Sequence, residues 1–126
     1  KDKHSTMVRL WSYQGMYPVA EIRNATYQQV ENALGTLAET LPGGWLSDQV
    51  WVTLNSNLRS SVYLKNALVT TYKYKPLVGI IEMIDPRGKS TYYDYDVHGR
   101  LKEIYIIEGG IKKLLQENEY KYYNEK

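Results

Sequence analysis

A tyrosine-rich segment followed by a glycine recurs at nearly constant spacing through the second half of this chain. Residues 70–74 precede Gly79, and residues 91–96 precede Gly99, so that Tyr72 and Tyr93 are related by a 21-residue offset and the two glycines by a 20-residue offset. A third, partial copy occupies residues 120–124. A period in this range is typical of architectures in which each copy is one small unit that pairs or stacks with the next. The pattern therefore favours an array of repeated structural units over an active site.

The hydrophobic pattern from Ala67 onward alternates with the period of a β-strand. Turn chemistry separates the alternating runs: Asp85-Pro86-Arg87-Gly88 suits a type I turn, and glycines supply the positive φ of tight hairpins at His98-Gly99 and Gly109-Gly110. Short turns between successive strands predict an antiparallel meander. The five predicted strands cover residues 68–75, 78–84, 89–96, 100–108 and about 114–123.

The first half of the chain predicts two helices. Thr26 followed three residues later by Gln29 is a capping box, apolar residues recur at helical spacing behind it, and Pro42 follows the last of them, which predicts a helix over residues 27–40. Ser47 is the expected cap of a second helix over residues 48–63, or of a short helix followed by another that starts near Asn55.

The segment before these helices is predicted to be extended. Alternation predicts a strand over residues 7–13, and residues 19–22 fit either a short strand or an extended lead-in to the first helix. The expected fold class is α+β, with two helices packed on a twisted antiparallel meander of about five strands and the N-terminal strand at an edge. The length predicts one domain over residues 1–126, in which a strand and two-helix segment (7–66) precedes a repeat-like β-meander (67–126).

The aromatic composition supports a half-buried sheet. The chain has 13 Tyr and 3 Trp but no Phe, and a tyrosine ring is apolar while its hydroxyl needs a partner or water. Alternation places the tyrosines of each copy on one face, so that rows of rings pack across neighbouring strands, each pair contributing roughly 0.2–1 kcal/mol. The alternative is a ligand-stacking surface, for which the candidate residues are Trp11, Trp45, Tyr72, Tyr74, Tyr93 and Tyr95.

The best copy of the repeat, residues 93–101 (Tyr-Asp-Tyr-Asp-Val-His-Gly-Arg-Leu), resembles the YD repeat of the bacterial Rhs family, which reads roughly Y-x-Y-D-x-x-G-R-L. The first copy departs from it, with Lys75-Pro76 and Gly79-Ile80 in the place of the turn residues, and the third lacks the glycine turn. Segments nearer the N-terminus are also similar to the stretch before the last repeats of such proteins, so the resemblance covers about three quarters of the chain.

The resemblance implies a C-terminal piece of a much larger cell-surface or secreted protein. Its expected role is structural or adhesive and non-enzymatic, as part of a β-rich shell whose partners are upstream repeats of the same parent chain. A chain that begins at Lys1 without an apolar leader agrees with an excised or processed piece. The alternative is a carbohydrate-binding module that presents exposed Tyr and Trp to a surface glycan.

Composition and motifs argue against several other classes. A net charge of +2 is too balanced to indicate a nucleic-acid partner, and no apolar run is long enough to span a membrane. The chain has no cysteine and no nucleophile motif. Its two histidines, His4 and His98, do not make a metal site. No catalytic residue, metal or cofactor is therefore expected. A small hydrolase would require a cleft with two suitably spaced acids.

An isolated piece of a sheet exposes unpaired strand edges. We therefore expect this chain to form a homodimer, or to associate more extensively, through its sheet edges. Light scattering across protein concentration measures this, and a monomeric mass at every concentration would contradict it.

Overall fold

In the part of the chain that the structure describes, seven strands form one antiparallel sheet, and their order in the sheet follows their order in the chain. The structure, a computed structural model, describes residues 6–43 and 46–119. The strands are β1 (Met7–Ser12), β2 (Tyr17–Arg23), β3 (Leu68–Lys75), β4 (Gly79–Ile84), β5 (Ser90–Tyr95), β6 (Leu101–Glu108) and β7 (Ile111–Glu117). The helices α1 (Tyr27–Leu34), α2 (Leu37–Thr40) and α3 (Asp48–Ser60), with a 3-10 helix over Val62–Leu64, connect β2 to β3.

The predicted α+β fold with an antiparallel meander is confirmed. The described sheet has seven strands, whereas the sequence predicts five strands in the meander and a sixth at its edge. Residues 19–22 belong to a full strand, β2, which pairs with both β1 and β3 and leaves β1 at the edge. The last strand begins at Ile111 because both Gly109 and Gly110 adopt positive φ, which closes a two-residue turn after Glu108. Predictions for the N-terminal tail with His4, for Trp45 and for residues 120–124 lie outside the described residues.

The predicted helix starts are confirmed, but the first helix is shorter than predicted. The Thr26 hydroxyl accepts from the backbone of Gln29 at 3.2 Å, and the Gln29 side chain accepts from the backbone of Thr26 at 2.9 Å. The helix predicted over residues 27–40 ends at Leu34, because Gly35 takes φ +63° and directs the chain into the separate turn α2.

The second helix begins at the predicted cap, where the Ser47 hydroxyl accepts from the backbone of Val50. It ends at Ser60, three residues before the predicted end. Ser61 then begins the 3-10 helix by accepting from the backbone of Tyr63 at 3.1 Å.

The apolar core lies between the helices and the first three strands. Val19, Ile22, Val30 and Leu54 have no exposed surface, and Trp51 is also buried. From residue 72 to residue 119, by contrast, every residue is half-buried or exposed. Strands β4 to β7 are therefore held by backbone pairing and cross-strand contacts, with no described layer that covers either face completely.

Candidate functional site

The sequence repeat is also a structural repeat with one fixed register. Four of the five facing pairs in the hairpin β3–β4 recur in the hairpin β5–β6 at a 21-residue offset in both strands. Each hairpin has one register shift at the same place, before Tyr74 and before Tyr95. Such shifts are β-bulges, which bend a strand and redirect its side chains. The equivalent pairs are Thr71↔Ile84 and Tyr92↔Tyr105, Tyr72↔Met83 and Tyr93↔Ile104, Lys73↔Glu82 and Asp94↔Glu103, and Tyr74↔Ile80 and Tyr95↔Leu101.

The second tyrosine of each unit donates a hydrogen bond back to the preceding strand. Tyr74 Oη donates to the carbonyl of Pro18 in β2, and Tyr95 Oη donates to the carbonyl of Ile80 in β4, each at 2.7 Å. We call each of these two hydrogen bonds a tyrosine latch. Burial raises the pKa of Tyr74 to about 12 and also raises the pKa of Tyr95, so both phenols remain donors near neutral pH.

The latches lie where backbone pairing with the preceding strand has ended. The ladder between β2 and β3 stops at Ala20↔Thr71, and the ladder between β4 and β5 stops at the equivalent pair Glu82↔Tyr92. Each latch satisfies a carbonyl beyond the end of a ladder. The second tyrosine of each unit is thereby explained as a connector to the strand that precedes the unit.

Tyr74 also belongs to a cluster of three rings. Its ring stacks on Tyr17 at a centroid distance of 4.8 Å, and Tyr13 meets both rings edge-on, at 5.3 Å from Tyr17 and 6.1 Å from Tyr74. Tyr13 is 3% exposed, and the Tyr17 hydroxyl accepts from the backbone of Leu77 at 3.0 Å. The cluster joins the β1–β2 turn to the β3–β4 hairpin.

The aspartates of the repeat organise its turns. Asp96 Oδ1 accepts from the backbone N–H groups of His98 and Arg100, and Asp85 Oδ1 accepts from those of Arg87 and Lys89, in the same relative positions. Arg100 Nε also donates to Asp96 Oδ2 at 3.1 Å. Hydrogen bonds from the Arg100 and His98 backbone, together with the Arg100 guanidinium, lower the pKa of Asp96. The Asp and Gly-Arg of the motif are thus explained by the turn they build.

One arginine connects the helical layer to the first repeat. Arg59 on α3 donates to the carbonyls of Asp85 at 2.8 Å and Ile84 at 2.9 Å, and to the Thr71 hydroxyl at 3.1 Å. Its Nε donates to Asn55 Oδ1 at 3.0 Å. Burial lowers the pKa of Arg59, and Asp85 opposes that effect. Sequence reasoning missed this residue; the only signal was an arginine one helical turn after Asn55 on the second predicted helix.

The candidate stacking residues have different environments. Trp11 is 42% exposed on the edge strand β1, whereas Tyr72, Tyr74, Tyr93 and Tyr95 are half-buried. Burial raises the pKa of Tyr72; Glu21 and Tyr93 raise it further, while Arg9 and Arg23 lower it. Trp45 lies outside the described residues.

Ring contacts also involve residues that sequence reasoning did not select. Tyr92 stacks on Tyr105 at 5.3 Å, and Lys112 Nζ lies 4.5 Å from the centre of the Tyr105 ring while also pairing with Glu103 at 2.7 Å. The 21-residue offset relates Tyr92 to Thr71 and Tyr105 to Ile84, but only the structure shows that these positions face each other. These contacts extend the aromatic and ionic packing to the last described strand.

Two further properties concern the described residues only. Across 6–43 and 46–119, no three His, Asp or Glu side chains converge in a way that could hold a metal ion. Within the same ranges, every helix is too short or too polar to cross a bilayer.

Comparison with models of known protein families finds no match to this chain, and comparison with curated proteins finds none either.

Proposed function

We propose that this chain is a non-enzymatic structural module whose 21-residue units extend a β-sheet within a larger YD-repeat protein, at a cell surface or secreted. One observation carries the proposal: the two units share pairing register, bulge position and tyrosine latch. A unit built this way ends in a strand that can receive the next unit. Repetition of a local unit with neighbour contacts is how repeat proteins grow.

The exposure of the sheet supports the same role. Strands β4 to β7 contain no fully buried residue, so this half of the sheet does not close a core of its own. In a β-rich shell, flanking repeats of the parent chain and the enclosed contents would cover such a sheet. The proposed partners are therefore further repeats of the same kind.

The outer hairpin β6–β7 is the proposed contact surface. All the residues of β7 are exposed, and a set of large apolar side chains lies on this hairpin with at least 49% of each exposed: Ile107, Ile111, Leu114 and Leu115. Salt bridges of Lys112 with Glu103 and of Lys113 with Glu108 already occupy its lysines, which weakens their usual role in blocking edge pairing. The expected self-association in light scattering is assigned to this edge.

A tandem insertion tests the repeat directly. Because Tyr95 is equivalent to Tyr74, a chain of residues 1–95 followed by 75–126 adds one 21-residue unit, with two strands and one latch. We expect it to fold cooperatively into a nine-stranded sheet, with a urea m-value higher than that of the parent because unfolding exposes more surface. Urea unfolding and dispersion of the amide resonances measure this.

The matched control is the same insertion without the inserted copy of Ile81, the residue bulged between the pairs at Glu82 and Ile80. A 20-residue unit shifts the register by one and turns each side chain to the opposite face. We expect this variant to lose dispersed amide resonances in the inserted strands. Equal behaviour of the two insertions, or unfolding of both, would contradict a propagating unit.

Carbohydrate binding is the second candidate function, and one observation favours it. Trp11 exposes 42% of its surface, whereas Tyr74 and Tyr95 use their hydroxyls within the sheet. The proposed sugar-binding site therefore lies around Trp11.

A further inference from the structure

A groove of about 190 Å³ lies between the edge strand β1 and the helices α1 and α2. Its floor is apolar, and its rim carries two aromatic and two charged side chains. Leu10, Val30, Leu34 and Leu41 contribute to the floor and also belong to the buried core, which gives the groove a fixed base. The rim residues are Arg9, Trp11, Tyr27 and Glu31.

The two aromatic side chains at this groove are exposed. Trp11 is 42% exposed on β1, and Tyr27 is 58% exposed at the start of α1, so the rings approach the groove from different elements. Aromatic rings with one apolar face in solvent are typical of binding surfaces. This pair offers an apolar platform at the edge of an otherwise filled core.

The polar rim includes one acid that has no partner among the described residues. Glu31 follows Tyr27 by one helical turn and is half-buried, and within residues 6–43 and 46–119 no hydrogen bond or ion pair engages its carboxylate. Arg9 pairs with Glu21 at 3.0 Å and retains further N–H groups. The groove therefore presents an acceptor and donors beside the rings.

We propose that this groove binds a neutral saccharide, with an apolar C–H face of a pyranose on Trp11 and Tyr27 and hydroxyls bound by Glu31 and Arg9. The charges decide between ligand classes. Rings with a carboxylate suit a quaternary ammonium. Here, however, both Arg9 and Arg23 lie within 4 Å of Glu21, so the two arginines balance the two carboxylates Glu21 and Glu31 and no net negative charge favours a cation. Glu31 opposes an anion in turn, while hydroxyl groups can donate to Glu31 and accept from Arg9.

The saccharide site is independent of the proposed structural role. The groove is formed by residues 9–42, whereas the two 21-residue units begin after the helices. Loss of sugar binding would leave the tandem-insertion result unchanged, and failure of the insertion would leave the groove intact.

Nuclear magnetic resonance titration of the full 126-residue chain tests the proposal. The probes are chitotriose, cellotriose and maltotriose, added separately to millimolar concentration, with choline as the cationic comparison. We expect saturable shifts of the Trp11 indole N–H and of groove amides with at least one of the trisaccharides. Removing a stacking ring in Trp11→Ala or Tyr27→Ala should weaken that association about tenfold.

Two further variants sharpen the result. Glu31→Gln keeps one acceptor and the side-chain size, so we expect a smaller loss than for the ring variants, without any effect on folding. Tyr63→Ala removes a comparably exposed tyrosine (52%) outside the groove and should bind like the parent. The proposal is overturned if none of the trisaccharides shifts these resonances, if Trp11→Ala and Tyr27→Ala bind as the parent does, or if choline alone occupies the groove.

Discussion

Replacing Arg59 by methionine is expected to lower the free energy of unfolding by about 2–4 kcal/mol. Methionine retains much of the aliphatic volume but none of the guanidinium N–H groups. The carbonyls of Ile84 and Asp85 then lose their donors in a half-buried position, and Asn55 loses one of its partners. Urea unfolding followed by circular dichroism measures the change.

The size of this effect follows from where the guanidinium lies. Arg59 is half-buried, and burial lowers its pKa. Its backbone and hydroxyl acceptors come from β3, from β4 and from the turn after β4. Removing a donor from a half-buried carbonyl costs about 1–3 kcal/mol when water does not replace it. The loss should also loosen α3 from the first repeat, so amide exchange should increase in β4 before it increases in β1.

Arg9→Met is the matched control, because it removes the same side chain from an exposed ion pair. The Arg9 side chain is 43% exposed and pairs with Glu21, so its loss should cost less than about 1 kcal/mol. Arg59→Lys should fall between the two, since an ammonium group keeps the charge but does not reproduce the planar fork of donors. Similar losses for Arg59→Met and Arg9→Met would show that the contacts of Arg59 contribute little.

The sequence predicts those structural elements that depend on contacts between residues close together in the chain. The capping box at Thr26, the cap at Ser47 and the turn at Asp85 each depend on hydrogen bonds between near neighbours in the chain, and all three are present. The 21-residue period similarly reports a unit of two strands. The caps and the turn can be predicted from the sequence because one short segment supplies both the hydrogen-bond donor and the acceptor.

The features that sequence reasoning missed depend on distant partners. The role of Arg59 requires acceptors on β3, on β4 and in the following turn, and the rings of Tyr13 and Tyr17 meet that of Tyr74 across the whole helical segment. The end of the first helix at Gly35 was not predicted, because a glycine inside an apolar helical pattern indicates only a modest cost against alanine. The groove at Trp11 and Tyr27 was not predictable either, since it forms only when β1 packs beside α1.

Gly79→Ala is expected to lower the free energy of unfolding by about 2–4 kcal/mol, through two separate effects. Gly79 has φ +152°, a conformation that an L-residue with a side chain adopts only under strain. A Cβ at this position would also lie 2.6 Å from Tyr95 Oη and 3.2 Å from Tyr95 Cζ. The ring that makes the second latch would have to move, and the Ile80 carbonyl would lose its donor.

A pair of controls separates strain from steric overlap. Gly99→Ala places a Cβ at φ +79° with no atom within 4 Å, so it should cost only the strain of a positive φ, about 1 kcal/mol. Tyr95→Phe removes the latch alone and should cost about 1 kcal/mol, whereas Tyr93→Phe, two positions earlier on the same face of the strand, should cost less.

The double variant Gly79→Ala/Tyr95→Phe decides whether the latch explains the glycine. If the alanine Cβ acts mainly through Tyr95 Oη, the cost of Gly79→Ala should fall by about 1 kcal/mol or more in the Tyr95→Phe background, which a double-mutant cycle in urea measures. Additive costs would instead assign the glycine to backbone strain alone. A reduced cost would mean that Gly79 and Tyr95 act as one device, in which the absence of a side chain at position 79 leaves room for the ring that makes the second latch.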